Sequence, residues 1–146
     1  MITRADIVDE ARTWLGTRWQ HQGCVKGVGV DCVGLIGGVA LALRLPGARE
    51  WRDAPAWHQY GRKPDPRTLL AGCEALMDRI PIDAAGPGDV LVLQFGAGPQ
   101  HFAIVSGEDP PAIIHALAQA RKVAEARLDD TWRARIVRAY RIWGIE

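Results

Sequence analysis

The chain has 146 residues, 48% hydrophobic and 24% charged, a composition that supports one core burying roughly two-thirds of the unfolded surface. It excludes native disorder and leaves little room for a second full domain, so residues 1–146 are read as a single domain. Eighteen Lys and Arg against seventeen Asp and Glu leave a formal net charge of +1, so no broad basic field recruits nucleic acid or anionic lipid.

Thr3, followed three residues later by Asp6, approximates a capping box, and Ile7, Val8, Ala11, Trp14 and Leu15 repeat at helical spacing up to Gly16. The N-terminus enters this charged amphipathic pattern directly, with no apolar export segment, so synthesis in the cytoplasm without a signal peptide is expected. From Thr17 to Val30 the apolar period disappears and a Gly-rich polar loop is predicted. Asp31 is a good N-cap for a buried helix that is apolar nearly all round and stops at Pro46, with Cys32 in its first turn. Gly34, Gly37 and Gly38 weaken that helix, which points to another backbone packed closely against their face. The uncharged apolar run, Val33 to Leu43, has 11 residues, against about 20 for a membrane span.

Residues 48–64 carry Trp51, Trp57 and Tyr60 without a period, and read as a surface excursion pinned by aromatics or a partner-docking surface. Asp65 and Pro66 start a third helix, predicted to run to about Arg79 with Leu69, Leu70, Cys73, Leu76, Met77 and Ile80 on one face and Cys73 in the core. After the Pro87-Gly88-Asp89 turn, strands are expected at 90–95, 101–106, 112–117, 122–127 and 138–143. Helices followed by strands give an α+β fold, with N-terminal helices packed on an antiparallel sheet of five or six strands. Arg133, Arg135, Arg138 and Arg141 read as a solvated face.

Three cysteines, Cys24, Cys32 and Cys73, are too few and too odd for a disulfide framework. A thiol at a helix N-terminus meets unpaired N–H groups and the positive end of the macrodipole, which lower its pKa and offer donors to an oxyanion. A hairpin centred near residue 108 would set His101 and His115 nearly opposite, one imidazole orienting the other. Nucleophile, base and orienting group together suit cysteine acyl transfer; the plain alternatives are a buried small thiol and two hydrogen-bonded sheet histidines. His21, Cys24 and Cys32 lack the paired spacing of a zinc site, and His58 has no evident partner.

The segment Leu15-Gly16-Thr17-Arg18-Trp19, a Gly-rich spacer, and Asp31-Cys32-Val33-Gly34-Leu35-Ile36 resemble the nucleophile region of NlpC-type cell-wall cysteine peptidases, papain-like enzymes that cut peptidoglycan stem peptides. Pro87-Gly88-Asp89-Val90-Leu91-Val92-Leu93 with His101-Phe102-Ala103-Ile104-Val105 resembles their histidine-bearing strand pair, and Ile114-His115-Ala116 the strand with the third polar residue. Order and spacing agree over residues 4–128. The resemblance implies the papain-like NlpC-type fold, Cys32 as nucleophile, His101 as general base and His115 as its orienting residue. It also implies Trp19, Asp31 and Val33 on the substrate side, the γ-D-glutamyl–diaminopimelate bond as target, and no cofactor or metal.

Two positions depart from the family pattern. Trp19 stands where Tyr is common, and Val33 stands where Ser commonly follows the nucleophile, which removes a hydroxyl from the substrate side. Asp31 is expected to serve as an N-cap rather than an acid catalyst, although family members also place it beside the substrate's amine. The wording Gly29-Val30-Asp31-Cys32-Val33-Gly34-Leu35 most resembles the peptidases of phage tails and gene transfer agents. That implies tail or baseplate proteins as partners and action on the wall as part of a particle; the near-neutral charge and the short apolar run lead to the expectation of no nucleic-acid partner and no membrane insertion. The alternatives are a structural or wall-binding tail component of the same fold, and an acyltransferase or amidase on it.

Overall fold

A computed structural model of the chain describes residues 1–54, 65–96 and 98–146. The first helix, α1 (Arg4–Arg12), opens on the expected capping box: the Thr3 hydroxyl accepts from the Asp6 amide at 3.2 Å, and the Asp6 carboxylate accepts from the Thr3 amide at 2.7 Å. Its apolar face buries Ile7, Val8 and Ala11, and the chain turns at Gly16 with φ of +83°. The predicted loop contains a small hairpin, β1 (Cys24–Val25) and β2 (Gly29–Val30), which stands apart from the main sheet.

Helix α2 (Cys32–Ala42) is capped by Asp31 and lies inside the molecule, where its all-round apolarity finds partners. Gly34 does face another backbone, that of Gly23, but Gly37 and Gly38 accommodate the indole rings of Trp51 and Trp14. Trp51 belongs to a short helix, α3 (Ala48–Asp53), and is 5% exposed, so it is core rather than a surface anchor. Trp57, His58 and Tyr60, and with them most of the suggested docking segment, lie outside the described residues.

Helix α4 (Pro66–Glu74) starts as expected, with the Asp65 carboxylate accepting from the Thr68 amide, and buries Cys73. It ends at Glu74, five residues before the predicted end at about Arg79. Met77–Ile80 instead forms strand β3. The apolar positions 76, 77 and 80 fit a helical period, but the same backbone gains a ladder against the C-terminal strand, and tertiary pairing overrides local propensity.

After a single 3₁₀ turn (Ile82–Ala84) come β4 (Val90–Phe95), β5 (Gly98–Glu108), β6 (Pro111–Leu117), β7 (Lys122–Arg127), a short helix α5 (Asp130–Arg133) and β8 (Ile136–Ile142). The sheet has six strands in the order β3-β8-β4-β5-β6-β7, each neighbouring pair antiparallel. Alternation along the strands separates two apolar layers. Val92, Phe102, Ile104, Ile114 and Tyr140 join the helices in the larger core. Leu91, Leu93, Ala103, Val105 and Ile113 form the smaller one on the other face, under Phe95 and Trp132. The architecture is therefore the expected α+β arrangement of helices on an antiparallel sheet.

Asp89, wholly buried, ties three distant segments at the start of β4. Its carboxylate accepts from Arg4 at 2.7 Å, from Arg141 through two bonds of 2.9 Å, and from the Gly86 amide at 3.0 Å. The C-terminal arginines therefore do not form one solvated face. Arg141 holds Asp89, Arg138 pairs with Glu74 at 3.0 Å, and Arg135 lies over the Phe95 ring at 4.6 Å; Arg133 is exposed. Among the described residues no helix is long and apolar enough to cross a membrane.

Candidate active site

Asp31 holds the start of α2 in place. One carboxylate oxygen accepts from the Gly34 amide at 2.8 Å and the other from the Gln22 amide at 2.8 Å, joining helix and preceding loop. This is N-cap geometry at a residue only 3% exposed. Cys32 follows immediately, in the first turn, with its sulfur close to the main chain of Phe102 on β5. The N–H groups of Phe102, Val33 and Cys32 itself favour the thiolate, as the helix-terminus argument anticipates. They are outweighed: burial first, then the Asp31 carboxylate, push the thiol up to about 12 rather than down.

The residue before Phe102 is His101, and its ring meets that of His115. The His101 Nε2 and His115 Nδ1 atoms are 2.9 Å apart, with ring centroids 5.1 Å apart. The two residues are not directly opposed as the symmetric hairpin predicted. Ile104 pairs with Ile114 and a bulge follows Val105, so continuing the register sets His115 against Ala103 and makes the histidines diagonal neighbours on one face. Two residues of offset still lie within the span of two imidazoles. His101 is 7% exposed and His115 1% exposed. Burial, with the charge of His115 second, lowers His101 to about 3, and burial lowers His115 to about 4.

With Nε2 engaged by His115, the nitrogen of His101 left for other chemistry is Nδ1. In the tautomer in which Nε2–H donates to His115, Nδ1 carries the lone pair of a general base. A proton accepted there leaves an imidazolium whose Nε2–H still points at an acceptor. Orientation and charge stabilisation thus come from the same 2.9 Å contact.

Of the residues expected on the substrate side, Trp19 is half-buried and bonds through its main-chain N–H to the Arg121 carbonyl at 2.9 Å. Val33, expected beside it, is 1% exposed, with its side chain packed in the larger core. Its position fits the side chain itself, because a Ser hydroxyl in that apolar layer would need a partner. Cys24 donates through its thiol to the Gly34 carbonyl at 3.3 Å, and burial raises its pKa. Among the described residues no cluster of three His, Cys, Asp or Glu is placed to hold a metal ion.

Sequence reasoning missed the aromatic surroundings of the dyad. Phe95 meets His101 edge-on at 5.5 Å between centroids, Trp132 meets His115 at 4.9 Å, and the two aromatics meet each other at 5.9 Å. Trp132 lies in the four-residue helix α5, too short to leave a periodic signal.

No protein-family model and no curated protein matches the sequence. Solved structures do. The chain is similar to the NlpC/p60 domain of the peptidoglycan hydrolase SagA, with 24% identity and a TM-score of 0.65 over 97% of this chain and 100% of that one. It is also similar to NlpC2 from Trichomonas vaginalis, with 15% identity, a TM-score of 0.68, and coverage of 97% of this chain and 47% of that one. For an NlpC/P60 family protein from Bacillus cereus the identity is 18% and the TM-score 0.64, over 96% of this chain and 40% of that one. The chain thus spans the whole of the first of these structures and under half of the other two. At such identities the likeness is one of architecture, and in architecture this chain has the NlpC/P60 fold.

Proposed function

We propose that the chain is a cysteine endopeptidase that cuts peptidoglycan stem peptides, with Cys32 as nucleophile, His101 as general base and acid, and His115 as the orienting residue. The observation that carries this reading is the 2.9 Å bond between His101 and His115, one residue along β5 from the main chain that approaches the Cys32 sulfur. The fold shared with a peptidoglycan hydrolase domain supports the substrate class.

In this mechanism the resting pair is a neutral thiol and a neutral imidazole. The sulfur attacks the amide carbonyl, the C–S bond forms, and the thiol proton passes to His101 Nδ1. The carbonyl oxygen becomes an oxyanion, held by N–H groups at the start of α2, including those of Cys32 and Val33. Collapse breaks the C–N bond as His101 returns the proton to the leaving amine. Water then gives a proton to His101 and attacks the thioester, and the departing sulfur takes that proton back.

The finer reading is the γ-D-glutamyl–diaminopimelate bond as target and a phage-like tail or baseplate as setting, where the enzyme opens the wall locally during DNA delivery. It rests on the motif wording around Cys32. The test is to incubate purified peptidoglycan with the protein and with Cys32→Ala and to identify released fragments by mass spectrometry. Fragments ending at D-glutamate, from the unaltered protein alone, are the expected result. A catalytically weak wall-binding tail component is the rival, favoured by surroundings of Cys32 that push its thiol up to about 12. It predicts sedimentation with the wall and no fragments from either protein.

A further inference from the structure

The His101–His115 dyad lies under a cover that the chemistry above does not use. From β4, Phe95 meets His101 edge-to-face; from α5, Trp132 does the same to His115; the two aromatics also meet edge-to-face, and both imidazoles are buried. Each piece is anchored. The Asp129 carboxylate accepts from the Trp132 amide at 3.0 Å and fixes α5, while the Arg135 guanidinium lies on Phe95, 4.6 Å from its centroid, and donates to the Gln94 carbonyl at 3.3 Å.

We propose that Trp132 and Phe95 form a positioning clamp for the catalytic dyad, excluding water from the His101–His115 hydrogen bond and fixing the tilt of the His101 ring. The proposal rests on the catalytic reading of the dyad and deepens it. Neither aromatic touches reacting atoms; both act through the imidazoles. An imidazole rotates freely about χ2 unless neighbours hold it, and a hydrogen bond open to water competes with solvent for its donor. Edge-to-face contacts on both rings remove those two freedoms together.

The groups around the dyad make water exclusion the dominant influence on its protonation. On β5 the neighbouring main chain is that of Phe102, with the Cys32 thiol; across from His115 on β7 stands Ala124. Asp129, the N-cap of α5, and Asp130 and Arg133 within it are exposed, and Arg135 lies on Phe95. Burial is the leading cause of the low basicity of both rings.

The test uses Trp132→Ala and Trp132→Phe, read by NMR titration of the histidine ring nitrogens and by steady-state hydrolysis of a soluble stem peptide. In Trp132→Ala both midpoints should rise by about one unit or more as water enters. The kcat should fall about 10- to 100-fold through a misoriented base, with KM within about twofold. Trp132→Phe, which keeps an aromatic face, should restore both readouts most of the way. Unmoved midpoints in a folded Trp132→Ala protein overturn the clamp. If that variant fails to unfold cooperatively, Phe95→Leu carries the same readouts, and unmoved midpoints there overturn it equally. The titration requires no turnover, so a protein that never hydrolyses peptide refutes the catalytic reading while leaving the clamp to be judged by the midpoints.

Discussion

The two nitrogens that face each other in the His101–His115 contact share one hydrogen at 2.9 Å. If both rings were cationic, two N–H groups would oppose each other, so the pair holds at most one added proton without breaking. Burial sets the same limit energetically, with folded values of about 3 and about 4 against an ordinary value near 6.5. Between those limits the unfolded chain binds more protons than the folded one. The contribution of each ring to stability is therefore whole above pH 6.5 and is lost as pH falls toward the folded values. At pH 5 the loss should be about 2 kcal/mol for each ring. Urea unfolding at pH 7 and pH 5 measures it, and His115→Phe should flatten the dependence; equal stability of the unaltered protein at both pH values would contradict the burial described. Cys32 shows the same competition with the other outcome in view. The helix-terminal N–H groups were legible in the sequence, but the crowding around the half-buried Cys32 was not, since it depends on β5, far along the chain.

Among the elements, α2 carries the strongest sequence signal and the tightest packing. Its N-cap, its burial and Cys32 in its first turn could all be read from Asp31 and the apolar run that follows. What pressed on its glycines could not, because Gly23, Trp51 and Trp14 reach it from three separate segments of the chain. Gly34→Ala distinguishes propensity from packing. Helix propensity alone predicts a gain of about 1 kcal/mol. A Cβ at Gly34 would run into the Gly23 carbonyl, a backbone atom held by the chain around it, so a net loss of about 1–3 kcal/mol is expected. Thermal unfolding of the variant decides between them, a raised Tm counting against the packing account. Strand β3 was hidden for a related reason. Met77 and Ile80 satisfy a helical period as well as a strand's, and only the presence of β8 beside them selects the strand.

At the scale of the whole molecule, the candidate site draws on two halves of the chain. The helical half delivers Cys32 at the mouth of α2, and the sheet half delivers the dyad from β5 and β6. Asp89 fastens the two together, with Arg4 at the start of α1 and Arg141 on the last strand sharing one buried carboxylate. The order of these parts along the chain was readable, and the resemblance of three separated segments anticipated the fold. The diagonal register of the histidines, the aromatic cover from α5 and the turning of Val33 into the core arise from bulges and packing that local patterns do not encode. The central claim is that Cys32 becomes acylated during turnover. It is tested most directly by mixing the protein with a soluble γ-D-glutamyl–diaminopimelate peptide, quenching in acid and measuring the mass of the protein and of its Cys32 fragment. The account predicts an acyl adduct on Cys32 that forms during turnover, is absent in Cys32→Ala and decays as product appears. Hydrolysis of that peptide by Cys32→Ala at the unaltered rate, or an adduct on any other residue, would contradict it.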